Sequence, residues 1–503
     1  MNSKQAKPAA RRRPAIAVVI AIALFAALTA VPQRAQDAPE VSPSTTPAVP
    51  TPAVSFHANR PRPEPPGDVA DFETLTTPPP GFRMQRRNNF YRIDDAGGGL
   101  YRWASTGHWT NYNEAEAGGY TLPDPLILSN GEPVPDAKTW FEKRRPEIVQ
   151  LYETEIYGKL PANAPQVSWE VVSGSSGSET INKEVLGSIG SAKTAARRGR
   201  SQAEPPRNAP PATEPEGGAR GYSDPPRILI SLTLPADAEG PVPVIFGAAG
   251  RNNDATLDAI LDRGWGYGTV DIRNVQPDSA DLETLRSGVV GMTLKPGQPR
   301  PPDEWGALRA WAWGLSRAMD YLETDPQVDA KRIAFSGHSR YGKMVLLAAA
   351  MDERIPMVFA TCSGEMGASL SRRDWGETID DMAQLFAPHF AGNFVHYAGR
   401  WNELPVDAHM LLALVAPRPV FLTGGTADQW SDPKGQFLAA VAASPVYSLL
   451  GKNGVGVTAM PRPGTPLVAG DLAFHEHSGG HVVTPAEWKL FLQFAGRYFD
   501  AAK

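Results

Sequence analysis

Arg332-Ile333-Ala334-Phe335-Ser336-Gly337-His338-Ser339-Arg340-Tyr341-Gly342-Lys343 passes from a strand through a tight turn into a helix. Residues 331–335 are a short apolar strand, Gly337 and Gly342 flank a serine, and residues 344–351 read as a helix. A serine in such a turn is pushed above the sheet edge. The backbone N–H groups at the head of the following helix then face any negative charge that develops beside it. Gly342 stands one position later than the second glycine of the G-x-S-x-G nucleophile elbow. The bland alternative is a serine N-cap before an ordinary helix.

Around this turn the chain alternates as a parallel sheet with crossover helices requires. Residues 140–157 form an amphipathic helix with Phe141, Ile148, Leu151 and Ile156 spaced for one face. Residues 228–234, 242–246 and a run near Val270 are apolar and β-branched, which suits buried strands. Residues 305–322 form a helix with a stripe through Leu308, Trp311, Ala312, Leu315 and Met319. Residues 420–423 are a further buried strand, and a helix at 488–499 closes the domain. The expected class is α/β, with the α/β-hydrolase organisation: a mostly parallel central sheet between helices on both faces.

A serine hydroxyl is a poor nucleophile until a base takes its proton, so an acid and then a histidine should follow it in the chain. Asp428 lies in a loop leaving the 420–423 strand, and His481 lies in the Gly-rich Ser478-Gly479-Gly480-His481 before the last helix. Asp432 competes with Asp428 for the acid role, and Glu365 and Glu377 are further candidates. His475 and His477 could suggest a metal site with His481. However, the spacing gives no H-E-x-x-H and no cysteine ligand, so they read as loop packing or supporting groups and no metal is expected.

The chain of 503 residues is 42% hydrophobic and 20% charged, enough to bury a large core. Its net charge of −5 supplies no basic footprint, which sets nucleic acid aside. Lys4, Lys7 and Arg11 to Arg13 precede an uncharged apolar run at 15–31, so residues 1–35 read as an export signal, cleaved or retained as an N-terminal membrane anchor. The expected location is periplasmic or extracellular. Cys362 is the single cysteine, so no intrachain disulfide can form. Residues 36–80 are a Pro-rich linker, residues 81–119 an unassigned extension, and residues 120–503 the catalytic domain, with a low-complexity insert at about 187–226.

The run Gly337-His338-Ser339-Arg340-Tyr341-Gly342-Lys343 resembles the G-[CH]-S-R-x-G-K motif of the glucuronoyl esterases, carbohydrate esterases that cleave esters of 4-O-methyl-glucuronic acid. The resemblance extends to Leu122-Pro123-Asp124-Pro125, Cys362-Ser363-Gly364-Glu365, Leu370-Ser371-Arg372-Arg373, and Leu404-Pro405-Val406-Asp407-Ala408-His409 before Ala416-Pro417-Arg418-Pro419. It covers the chain from about Tyr120 onward and favours the bacterial branch. The resemblance implies an oxyanion contact from Arg340, otherwise a surface salt bridge. It implies a sugar-hydroxyl contact from Lys343, otherwise an exposed helix charge, and a grip on the glucuronate ring by Glu377 and Trp430. Cys362 stands where fungal members carry their catalytic glutamate, which shifts the acid role to Asp428.

The expected reaction is therefore acyl transfer on a glucuronate ester of plant cell-wall xylan or lignin, with Ser339 as nucleophile, His481 as base and Asp428 orienting it. No cofactor is expected, and the chain is expected to be a monomer. Two alternatives remain at this point: another carbohydrate deacetylase such as an acetyl xylan esterase, and a noncatalytic glycan-binding module.

Overall fold

The computed structural model describes residues 83–86, 89–93, 100–103, 109–112, 114, 117, 119–190, 225–248 and 254–500. The apolar leader, the Pro-rich linker and residues 191–224 of the insert lie outside them. Among the described residues no helix is long and apolar enough to cross a membrane.

Nine of the described strands form one sheet: β5 (Val167–Ser176), β6 (Thr180–Ile189), β7 (Arg227–Pro235), β8 (Val242–Ala248), β9 (Gly266–Asp271), β10 (Val328–His338), β11 (Met357–Thr361), β12 (Val420–Gly425) and β13 (Leu472–His477). The order across it is β13-β12-β11-β10-β8-β9-β7-β6-β5. From β9 to β13 every neighbouring pair is parallel. β7, β6 and β5 then continue antiparallel. The 228–234 run is therefore not a doubly covered parallel strand: β7 pairs antiparallel on both sides and alternates between buried and half-buried positions. The four strands before them, β1 (Arg83–Arg86), β2 (Asn89–Ile93), β3 (Leu100–Trp103) and β4 (Trp109–Asn111), form a separate four-stranded sheet in the extension.

The parallel part is covered on both faces, and its side chains divide between two cores. Val244, Phe246, Ile333, Phe335, Val358, Val420 and Leu422 join one core, which contains the helices Ala307–Leu322, Arg340–Met351, Ala408–Val415 and Pro433–Leu449. Ile245, Ala334, Phe359, Phe421 and Ala473 join the other, with the helices Asp254–Leu261 and Pro485–Phe499. Alternate residues of a strand point to opposite faces, so near-continuous apolar runs are what a doubly covered sheet demands. This is the α/β-hydrolase architecture.

The 140–157 helix differs from expectation in an instructive way. Between residues 140 and 156 its buried residues are Trp140, Arg144, Ile148, Tyr152 and Ile156, with Tyr157 buried at its end, whereas Phe141 is exposed. A strict four-residue repeat drifts off the face of a 3.6-residue helix. The chain accommodates it with two π-helical segments, Trp140–Arg144 and Tyr152–Ile156. The last helix begins at Pro485, earlier than its apolar pattern, because Thr484 and Glu487 form a reciprocal capping box.

Candidate active site

Ser339 joins β10 to the helix Arg340–Met351 with φ 59° and ψ −128°, a conformation that an L-residue holds only when its surroundings impose it. Those surroundings are explicit. The Ser339 N–H donates to the Thr361 carbonyl on β11 at 2.9 Å, and the Ser339 carbonyl accepts from the N–H groups of Gly342 and Lys343 at 2.8 and 3.2 Å. A Cβ on Gly337 would sit 2.1 Å from the Tyr341 carbonyl oxygen, and one on Gly342 would press Ser363 Cβ at 3.0 Å. Both glycines thus permit close approach, the second against the turn after β11. The helix begins at Arg340, so its first N–H groups point toward the serine end without helical acceptors of their own.

Asp428 and His481 arrive on two loops zipped together by their backbones. The N–H of Thr426 donates to His477 O at 2.8 Å and that of Ala427 to Gly479 O at 2.9 Å. Any Cβ on Gly425 would collide with the carbonyls of Gly479 and Gly480, both at 2.4 Å. The result is a 2.8 Å contact between His481 Nδ1 and Asp428 Oδ2. Asp428 is buried while the His481 side chain is 41% exposed, so the imidazole can meet a substrate. Its ring centroid lies 4.5 Å from that of His338, the residue preceding Ser339. The histidine loop therefore lies against the residue that immediately precedes Ser339. With Nδ1 donating to the carboxylate, the tautomer leaves Nε2 as the acceptor.

The other acid candidates are occupied elsewhere. Both Asp432 carboxylate oxygens accept from Arg373 Nε, at 3.1 and 3.0 Å, and Oδ1 accepts from the Gly435 N–H of the next helix. Glu365 is buried and accepts from Ser371 Oγ at 2.5 Å; burial pushes its carboxyl far above the usual range. His475 and His477 are buried on β13, not in a loop, and His477 Nδ1 accepts from the Gly479 N–H that helps shape the histidine loop.

Cys362 Sγ lies within 4.8 Å of ligand atoms of both Asp428 and His481. Burial, followed by the Asp428 charge, drives the thiol pKa upward.

Lys343, on the helix that follows Ser339, is nearly fully buried. Its Nζ donates to Ser363 O at 2.7 Å and to Glu377 Oε2 at 2.8 Å. Glu377 Oε1 accepts from Trp430 Nε1 at 3.2 Å, and the Glu377 N–H donates to Trp430 O at 2.7 Å. The exposed-charge alternative for Lys343 is thereby excluded, and three residues far apart in sequence form one hydrogen-bonded row. The turn that carries Glu377 also meets the extension: the Gly376 N–H donates to Asn111 O at 3.2 Å, and Glu114 pairs with Arg373 and Lys434.

Arg340 is part-exposed. Its Nη1 lies 3.0 and 3.1 Å from the two oxygens of Asp278, which also receives His389 Nε2 at 3.1 Å. Burial disfavours the Asp278 anion, but the bonds and charge from His389 and Arg340 outweigh that and hold its pKa at about 2. Neither partner was legible in the sequence. Asp278 sits in an unpatterned polar segment after β9, and no motif marks it or His389 as the partner of Arg340.

The family model described as "Glucuronyl esterase, fungi" matches residues 300–451, which hold the serine turn, Glu377 and Asp428. A carbohydrate esterase from an unknown prokaryotic organism is 33% identical over 433 residues, covering 77% of this chain and 92% of its own. A 4-O-methyl-glucuronoyl methylesterase of Wolfiporia cocos is 29% identical over 345 residues, 66% of this chain and 72% of its own. Among solved structures, a glucuronoyl esterase from Solibacter usitatus superposes with a TM-score of 0.64 at 37% identity, over 76% of this chain and 99% of that one.

Proposed function

The chain belongs to the glucuronoyl esterase family of carboxylic ester hydrolases, and from that premise we propose that it hydrolyses esters of 4-O-methyl-D-glucuronic acid by acyl transfer through Ser339. The observation that carries this reading is the 2.8 Å contact of His481 with buried Asp428, its ring against His338 beside the serine turn. Ser339 Oγ attacks the C6 carbonyl as His481 Nε2 takes its proton, and Asp428 stabilises the imidazolium that forms. Collapse of the tetrahedral intermediate expels the alcohol, which receives that proton from His481, and leaves a glucuronoyl ester on Ser339. Water, deprotonated by the same imidazole, attacks this ester; the acid departs and Ser339 regains its proton.

The oxyanion is met by N–H groups at the head of the serine helix and by the Arg340 guanidinium. Loss of one such donor typically costs about 10² to 10³ in rate. The row of Lys343, Glu377 and Trp430 supplies donors and acceptors for the glucuronate hydroxyls, and an acetyl group would leave them unused. In the cell wall the substrate is a glucuronoxylan–lignin ester, reached after export directed by the apolar leader. Incubation of the purified protein with benzyl glucuronate, methyl glucuronate and acetylated xylan tests the assignment. Release of glucuronic acid from the first two is expected; deacetylation alone, or no turnover of any ester, refutes it.

A further inference from the structure

Asp278 is the meeting point of three elements, and of its contacts only Arg340 belongs to the machinery assigned so far. Both of its oxygens accept from Arg340 Nη1, Oδ2 also accepts from the Tyr341 hydroxyl at 3.3 Å, and Oδ1 contacts His389 Nε2. Arg340 and Tyr341 open the helix behind Ser339, while His389 ends the short 3-10 turn Ala387–His389.

Each of these groups is itself held. The His389 ring is buried between Phe386, stacked at 5.3 Å, and Trp311, edge-on at 5.1 Å. The segment bearing Asp278 is fixed two residues earlier by Gln276. The Gln276 carbonyl accepts from Trp311 Nε1 at 2.8 Å, its Nε2 donates to Thr284 O at 3.1 Å, and its Oε1 accepts from the Val290 N–H at 3.1 Å. The Arg340 guanidinium carbon also lies 4.9 Å over the Phe386 ring, which fixes the plane of the fork.

A long side chain in water samples many rotamers, and an oxyanion donor is effective only when its N–H is aimed before the charge appears. A guanidinium has five N–H donors in one rigid fork. Binding Nη1 to a fixed carboxylate leaves the remaining edges to be directed. We propose that Asp278, backed by His389, is a positioning residue that aims the Arg340 guanidinium at the oxyanion formed beside Ser339. Asp278 touches no substrate and acts only through Arg340.

The inference rests on the proposed esterase reaction, so its test begins with wild-type turnover of benzyl glucuronate; absence of turnover removes that reaction and this inference with it. With turnover established, kcat and KM are measured for Asp278→Asn, Arg340→Ala and the double variant. Asp278→Asn keeps the shape and removes the charge. Its kcat is expected to fall about 10- to 100-fold with KM within twofold. In the Arg340→Ala background the same change is expected to alter kcat less than twofold, because the group it aims is gone. His389→Gln, which leaves Asp278 intact, serves as a second probe and is expected to give a smaller loss that likewise vanishes without Arg340. A general structural defect would lower kcat by the same factor in both backgrounds, and that multiplicative result would overturn the proposal while leaving the esterase assignment standing.

Discussion

Replacing Lys343 with Met puts a number on the buried Lys343–Glu377–Trp430 row proposed to hold the sugar. The Lys343 and Glu377 side chains are 6% and 10% exposed, so the substitution strands a carboxylate that water barely reaches. Removing one partner of a buried pair costs about 3–5 kcal/mol, most of it from the charge left behind. Unfolding entropy is about 2.1 cal/mol/K per residue, so for a domain of roughly 380 residues this corresponds to a fall in Tm of about 4–6 °C. In the proposed reading Lys343 belongs to the row that grips the sugar ring and does not touch the reacting carbonyl. The kinetic loss should therefore fall mainly on KM, by about tenfold, which is the loss of one charge-assisted hydrogen bond. Adding Glu377→Gln to Lys343→Met removes the stranded charge, so Tm should recover by several degrees while KM stays high. Thermal unfolding and benzyl glucuronate kinetics on the wild type and the two variants read both effects. A single variant with unchanged Tm and KM, or a double variant less stable than the single, would refute the reasoning.

Asp428→Asn leaves the loop geometry but lets the imidazole take the wrong tautomer, so kcat should fall about 10⁴-fold, read by steady-state turnover. Asp432→Asn, by contrast, should lower Tm through Arg373 and the helix it caps while kcat per folded molecule stays within a fewfold. Burial, and then the neighbouring His481, lower the His338 pKa from 6.5 to about 4. The folded state therefore binds fewer protons than the unfolded one. The stability this confers is complete above about pH 6.5 and is lost as pH falls toward 4. Tm measured from pH 7 to 4 should decline less steeply in His338→Asn than in the wild type.

Much of this was legible in the sequence because the relevant constraints are local. The serine turn needs glycines where the helix meets the strand, and Gly337 and Gly342 show the close contacts that require them. Asp428 could be chosen over Asp432 from its nearness to the strand end, and the backbone zip between the two loops is the physical reason. The rest depends on meetings that no periodicity announces. Lys343 lies in a helical run that also suits an exposed charge; only the approach of Glu377 and Ser363 buries it. Asp278 and His389 stand 62 and 49 residues on either side of Arg340 and lack a motif, so their convergence appears only once the helices have packed. The antiparallel placement of β7 is hidden for the same reason, since an apolar β-branched run does not reveal the direction of its neighbours.

The covalent step is the most direct point of attack on the whole account. Acid-quenching the protein during turnover of benzyl glucuronate, followed by peptide mass analysis, should find the glucuronoyl mass on the peptide containing Ser339 and nowhere in the Ser339→Ala protein. An adduct on another residue, or undiminished turnover by Ser339→Ala, would contradict it.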